Sequence, residues 1–205
     1  MATTFFKISG RSIIPRGWGD YGHILQHGIA AHLPSADGRL ALERAGPYIP
    51  PITLLPGIGD IVLTSEAQKL LELSALSGFS FLPVEKTLVV ELHWETWNLD
   101  AEQPAEFPES GEPEGYILGK PHSPNAATEL GELWEIVVPS TATILRPRSV
   151  VSSYKELRID LNTWNGSDLF RGEGYGSILF SERARNWFCE HWEKYVQFFF
   201  EFPAA

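Results

Sequence analysis

Few residues in this 205-residue sequence have the types and spacing that chemistry requires. Glu91, His93 and Glu95 alternate on one face of an extended run, Leu88-Val-Val-Glu-Leu-His-Trp-Glu. Two carboxylates beside an imidazole are the parts of a general acid–base pair or of a metal site. A solvated strand face uses the same residues. His23 and His27 are four apart, as helical metal ligands would be, but Gly22 and Gly28 flank them and no third ligand lies nearby in sequence. No metal and no cofactor is expected. Cys189 is the single cysteine, which excludes an intrachain disulfide and a cysteine-based zinc cluster. It lies beside a helical aromatic stripe and reads as a buried, inert thiol. Asp168-Leu-Phe-Arg171 is the most distinctive polar motif, and its expected roles are structural. Asp168 caps or pairs, Phe170 fills core, and Arg171 bonds carbonyls or a carboxylate.

A stronger signal is electrostatic. Sixteen Lys and Arg stand against 26 Asp and Glu, a formal charge of −10. Residues 1–55 carry +2, residues 116–205 carry −2, and residues 56–115 carry −10, so the middle accounts for the whole imbalance. Asp100, Glu102, Glu106, Glu109, Glu112 and Glu114 fall in one run without a Lys or Arg, interleaved with Pro104, Pro108 and Pro113. Proline disfavours helix at the residue before it and removes a donor. The stretch 100–115 is therefore an extended, solvated acidic loop, a solubilising surface or a docking surface for a basic partner. Trp97 and Phe107 beside the acids are candidate anchors, because aromatic residues are enriched at interface hot spots. A global nucleic-acid or anionic-membrane binder is not expected, since both need a basic surface. The amino terminus lacks the basic and apolar regions of a secretory signal. No 18-residue apolar run predicts a membrane span. These features give the expectation of a soluble, cytoplasmic protein, monomeric or weakly dimeric.

The elements that must position these residues follow from periodicity. Phe5–Ile8 and Ser12–Ile14 are β-type runs. The stretch 15–58, dense in glycine and proline, reads as loop-like cover, so residues 1–58 form a loop-rich part of a single domain spanning 1–205. After Gly59 comes a strand at 60–64, and then Ser65-Glu-Ala-Gln, a capping box with Ser65 as N-cap. Helical spacing runs to Gly78, and Phe79-Ser-Phe-Leu-Pro-Val resumes extended structure. The carboxyl end repeats that plan, with Ser177-Ile-Leu-Phe, an N-cap at Ser181 and a first-turn acid at Glu182. Ala184, Trp187, Phe188, His191, Trp192 and Tyr195 then share a helical face, and Val196-Gln-Phe-Phe-Phe-Glu-Phe is a strand. Residues 60–84 and 168–202 thus form a repeated strand–helix–strand unit. Further strands are expected at Tyr116–Leu118, Leu133–Val138, Val150–Ser153 and Leu157–Leu161. Many short strands with two main helices predict an α+β fold on a largely antiparallel or mixed sheet. Phosphate-loop, dinucleotide, zincin, nucleophile-elbow and EF-hand patterns are absent. Gly172-Glu-Gly-Tyr-Gly-Ser precedes a strand rather than a helix and reads as a turn.

Asp60-Ile-Val-Leu-Thr-Ser65-Glu, Asp168-Leu-Phe-Arg171, Ile178-Leu-Phe-Ser181-Glu182-Arg and the closing Phe198-Phe-Phe-Glu-Phe resemble a known pattern. They are similar to the bacterial polymorphic-toxin immunity proteins of the group that includes the double-CXXCG proteins. The resemblance covers about 60 residues, and this chain lacks the CXXC pairs, so no zinc-bearing amino-terminal module is implied. It implies a cytosolic, non-enzymatic inhibitor that binds one cognate secreted toxin and protects the producing cell and its kin. A nuclease toxin carries a basic cleft, which an acidic loop can occupy as a phosphate mimic. The alternatives are a small enzyme using Glu91, His93, Glu95 or Asp168, and a non-enzymatic adaptor or chaperone for an effector.

Overall fold

A computed structural model describes residues 4–31, 35, 37–55, 59–146 and 157–205, with backbone alone at 200 and 201. In chain order the elements are β1 (Thr4–Gly10), α1 (Gly19–His27), β2 (Ile29–Ala30), β3 (Ala41–Gly46), β4 (Ile52–Leu54) and β5 (Ile61–Thr64). Then come α2 (Ser65–Glu72), β6 (Ser80–Pro83), β7 (Glu85–Glu91), α3 (Gly115–Leu118), α4 (Pro124–Glu129) and β8 (Leu133–Val137). The chain continues through β9 (Thr141–Ala142), β10 (Ile144–Leu145), β11 (Arg158–Ile159), β12 (Leu169–Gly172), β13 (Tyr175–Ser181), α5 (Glu182–Trp192) and β14 (Val196–Pro203). The architecture is α+β, with mostly antiparallel strands in several sheets.

Two of those sheets share one plan. In the order β4-β5-β8-β6, β5 and β6 both run antiparallel to β8, which separates them. They are therefore parallel to each other and joined through α2. In the order β14-β1-β13-β12-β9, β13 and β14 flank β1 in the same way and are joined through α5. Each unit is a split strand–helix–strand motif. Each also carries a preceding antiparallel partner, β4 beside β5 and β12 beside β13. The inserted strand comes from later in the chain in the first unit and from its beginning in the second.

The helices form where sequence supplies both cap and apolar stripe. Ser181 Oγ accepts from the Ala184 amide at 3.1 Å, opening α5. At α2 the cap is Thr64, whose Oγ1 accepts from the Ala67 amide at 3.3 Å, and not Ser65 as the sequence suggested. Ser65 instead accepts from Trp134 Nε1 at 3.1 Å and donates to the Glu132 carbonyl at 3.2 Å. Strand β5 ends at Thr64, but the helix begins at Ser65, one residue earlier than the capping-box pattern implies, so the first hydroxyl takes the cap and the second ties the helix to β8. With the caps aligned, Phe81 and Phe198 each follow their cap by 17 residues.

The two units close on one core. Ala67 and Leu71 of α2 meet Ala184, Phe188 and Trp192 of α5, together with Phe6, Ile8, Ile52, Ile61, Ile136 and Phe180. Each buried aromatic or aliphatic side chain contributes about 1.5–3 kcal/mol. Trp187 and His191 lie beside that stripe and stack at 4.2 Å, half out of the core.

A second core differs from the sequence reading of 15–58 as cover. There α1, β3 and β7 bring together Trp18, Leu25, Ala45, Val90 and Trp94, all buried. Gly22 does not break α1. A Cβ there would meet Ile14 Cγ2 at 2.9 Å, so the glycine serves close packing rather than looseness. Arg44 of β3 is fully buried and donates to the carbonyls of Ala45, Gln26 and Tyr48. Burial lowers its pKa to about 9, which leaves it charged at neutral pH. Ser12–Ile14 is not a strand, and Tyr116–Leu118 is helical, its backbone turned by bonds to Pro113 and Glu114. Only Arg158–Ile159 of the expected Leu157–Leu161 strand pairs, and Val150–Ser153 lies outside the described residues.

Candidate partner-binding cleft

The acidic segment forms a run of turns laid over the second core. Three aromatic donors pin its backbone. Trp18 Nε1 donates to the Ala101 carbonyl at 2.8 Å, Tyr21 Oη to Gly111 at 2.6 Å, and Tyr116 Oη to Glu106. Pro104 is buried, and the Gly111 amide closes a turn on the Pro108 carbonyl at 3.0 Å. Burial first, then Tyr21 and Glu106 nearby, push the Tyr116 phenol up to about 12. It therefore stays protonated and remains a donor.

This anchoring uses backbone and leaves the carboxylates free. Among the described residues, none of Asp100, Glu102, Glu106, Glu109, Glu112 or Glu114 pairs with a Lys or Arg. Glu106, Glu109, Glu112 and Glu114 line a cleft of about 760 Å³ together with Phe107 and Leu118. Phe107 is 50% exposed and Leu118 47%, so apolar surface lies among unpaired negative charge. Lys120 is the cation on its lining.

The other expected contact residues lie elsewhere. Asp100 and Glu102 are exposed but do not line the cleft. Trp97, expected as an anchor, is half-buried against Trp18 and Tyr116 and supports the loop from beneath. Phe107 is held edge-on by Tyr21 at 5.2 Å. Tyr21, Tyr116, Leu118 and Lys120 were not anticipated. Their signal was the aromatic spacing Trp18, Tyr21 and Tyr116 on both sides of the acids, which reading 15–58 as cover concealed.

The motif residues bind the two units together. Asp168 is buried, and its carboxylate accepts from the Ser77 amide at 2.9 Å, the Ser77 hydroxyl at 3.0 Å, Ser181 Oγ at 2.8 Å and Arg183 Nε at 2.9 Å. Arg183 makes a second contact through its other nitrogen and reaches the Ala75 carbonyl. Burial alone would raise this carboxyl, but the bonds from Arg183, Ser181 and Ser77 hold it below the usual range. Phe170 is fully buried. Arg171 donates to the Gly176 carbonyl at 3.0 Å and to Asp60 at 3.3 Å, joining β12 to the start of β5. Glu182 is an exposed first-turn acid on α5. Every oxygen of Asp168 is occupied by the fold's own donors, which fits a joint rather than a reacting group.

Glu91, His93 and Glu95 do meet. His93 Nε2 is 3.7 Å from Glu91 and its Nδ1 is 3.4 Å from Glu95. Strand β7 ends at Glu91, and Glu95 lies in a short 3-10 turn, so the alternation holds for only part of the run. The His93 side chain is 53% exposed, an open setting without the exclusion of water that strengthens a catalytic charge. His23 and His27 are neighbours at 4.7 Å, and no cluster of three metal-ligating side chains occurs among the described residues. Cys189 is partly exposed on α5. No helix among the described residues is long and apolar enough to cross a membrane. Compared with known proteins, the chain matches no protein-family profile and no curated protein.

Proposed function

We propose that this chain is an immunity protein, an inhibitor that binds and neutralises a cognate secreted bacterial toxin in the cytoplasm of the producing cell. The observation that carries the reading is the cleft at 106–120. Four carboxylates without a Lys or Arg partner surround an exposed phenylalanine and leucine on a backbone anchored by aromatic donors. A rigid acidic surface with an apolar centre suits a basic protein surface, because preorganised loops lose little entropy on docking. Opposite potentials speed the encounter.

A nuclease toxin is the partner class that fits best. Its substrate is a polyanion, so its active cleft is cationic, and carboxylates spaced along a loop occupy it as phosphates would. The motifs at Asp60–Glu66, Asp168–Arg171, Ile178–Arg183 and Phe198–Phe202 support the same reading through their resemblance to toxin-immunity proteins.

Co-expression with the toxin encoded beside this gene tests the reading. Growth should be rescued, and the two proteins should co-elute as a stable complex. A toxic partner that still kills and leaves this chain eluting alone would reject it.

A further inference from the structure

The molecule carries a second cleft of opposite sign. Lys7 of β1, Arg146 after β10, and Tyr175 and Ser177 of β13 line a depression of about 520 Å³ at the turn joining β12 to β13. In a chain of net charge −10, the described residues on its lining include two cations and no acid. Among the described residues, neither Lys7 nor Arg146 has a carboxylate partner. Glu173, beside Gly174 in sequence, accepts from the Thr143 hydroxyl at 3.3 Å.

The site is braced. Arg146 donates to the Gly174 carbonyl at 2.9 Å, which fixes the guanidinium against the turn and leaves further N–H groups unused. Lys7 Nζ lies 5.8 Å from the centre of the Tyr175 ring. Tyr175 rests edge-on against buried Phe202 at 5.7 Å, so that wall of the cleft is supported by core. Gly174 has φ +67, a conformation that favours glycine, and its amide donates to no group among the described residues.

We propose that this cleft binds the phosphate group of a small phosphorylated molecule. A phosphate monoester carries about −1.5 to −2 charges at neutral pH and three strong acceptor oxygens. Lys7, Arg146, the Ser177 hydroxyl and the Gly174 amide offer two cations and two neutral donors, which matches that demand. A carboxylate, with a single charge, needs only one bidentate arginine. A depression of this size holds a small molecule rather than a long peptide. This site is separate from the toxin-binding reading and stands without it.

Titration of the full chain with inorganic phosphate, followed by amide resonances at constant ionic strength, tests the assignment. Gly174, Gly176 and Ser177 should shift together and saturate, with a midpoint on the order of millimolar. Phenyl phosphate, which carries the same group, should shift the same resonances. Lys7→Gln with Arg146→Gln should weaken both probes roughly tenfold or more. Arg146→Gln alone, at an exposed position, should weaken them about threefold even where the double variant folds poorly. Shifts that do not saturate, that centre elsewhere or that survive Arg146→Gln would overturn the proposal. So would acetate or an acidic peptide binding as tightly as phosphate.

Discussion

His27 carries a pH dependence that its place in the sequence does not reveal. The residue is buried at the end of α1, with its ring against Gly10 and its Nε2 3.1 Å from Gln26. Burial first, then the charge on His23 and on Arg44, lowers its pKa to about 3. It is therefore neutral in the fold across the physiological range. The unfolded chain takes up the proton near pH 6.5, while the folded one does not until about pH 3. The stability contribution is thus full above pH 6.5 and drains as pH falls toward 3, at about 1.4 kcal/mol per pH unit. His23 is lowered as well, by burial and against the opposing charge of Asp20, so it adds to the same slope. Urea unfolding of His27→Gln should show a shallower loss of stability between pH 6.5 and 4 than the parent chain. An unchanged slope would remove His27 from the account. Sequence contained the two histidines but not their burial, because the partners that desolvate them, β1 and β3, are distant in the chain.

The two split units show what periodicity reveals and what it conceals. Strand, helix and strand at 60–84 and 168–202 were legible because Ser/Thr caps, apolar stripes and apolar runs are local signals. The insertion of β8 into one unit and β1 into the other was not, since strand pairing depends on partners 50 or more residues away. The same limit explains α1. Its glycines read as loop by composition, and only the contact with Ile14 shows why Gly22 is needed. The cap at α2 failed by a single residue because Thr64 and Ser65 both offer a hydroxyl. The fold assigns them different work, which thermal or urea denaturation can separate. Thr64→Ala should cost about 1 kcal/mol through the lost N-cap. Ser65→Ala removes an acceptor from Trp134 Nε1 and leaves the cap intact. A larger loss from Ser65→Ala, with Thr64→Ala silent, would restore the capping-box reading.

Across the whole molecule, charge is sorted by location. The acidic cleft rests on the core of α1, β3 and β7, and the cationic depression lies at the β12–β13 turn on the separate core around Phe5, Phe170 and Phe202. Asp168, with Ser77, Ser181 and Arg183, joins the units without drawing on either charged surface. That separation makes the partner reading testable by charge alone. Glu106, Glu109 and Glu112 are exposed, and their side chains carry none of the loop's anchoring bonds, which run through carbonyls to Trp18, Tyr21 and Tyr116. Reversing all three to Lys should therefore leave unfolding nearly unchanged, within about 0.5 kcal/mol for surface substitutions. Association with the proposed toxin partner should slow by about tenfold or more at low ionic strength, since steering contributes about 10- to 1,000-fold to such rates. The difference between parent and variant should shrink as salt approaches the 1 M range, where screening shortens to about 3 Å. Stopped-flow binding at two salt concentrations measures both effects, and an on-rate indifferent to the three reversals at low salt would move the interface away from this cleft. Phe107→Ala separates the apolar part of the surface from the electrostatic part. It should raise the off-rate by a factor of about ten or more if Phe107 is a central anchor, and change the salt dependence little.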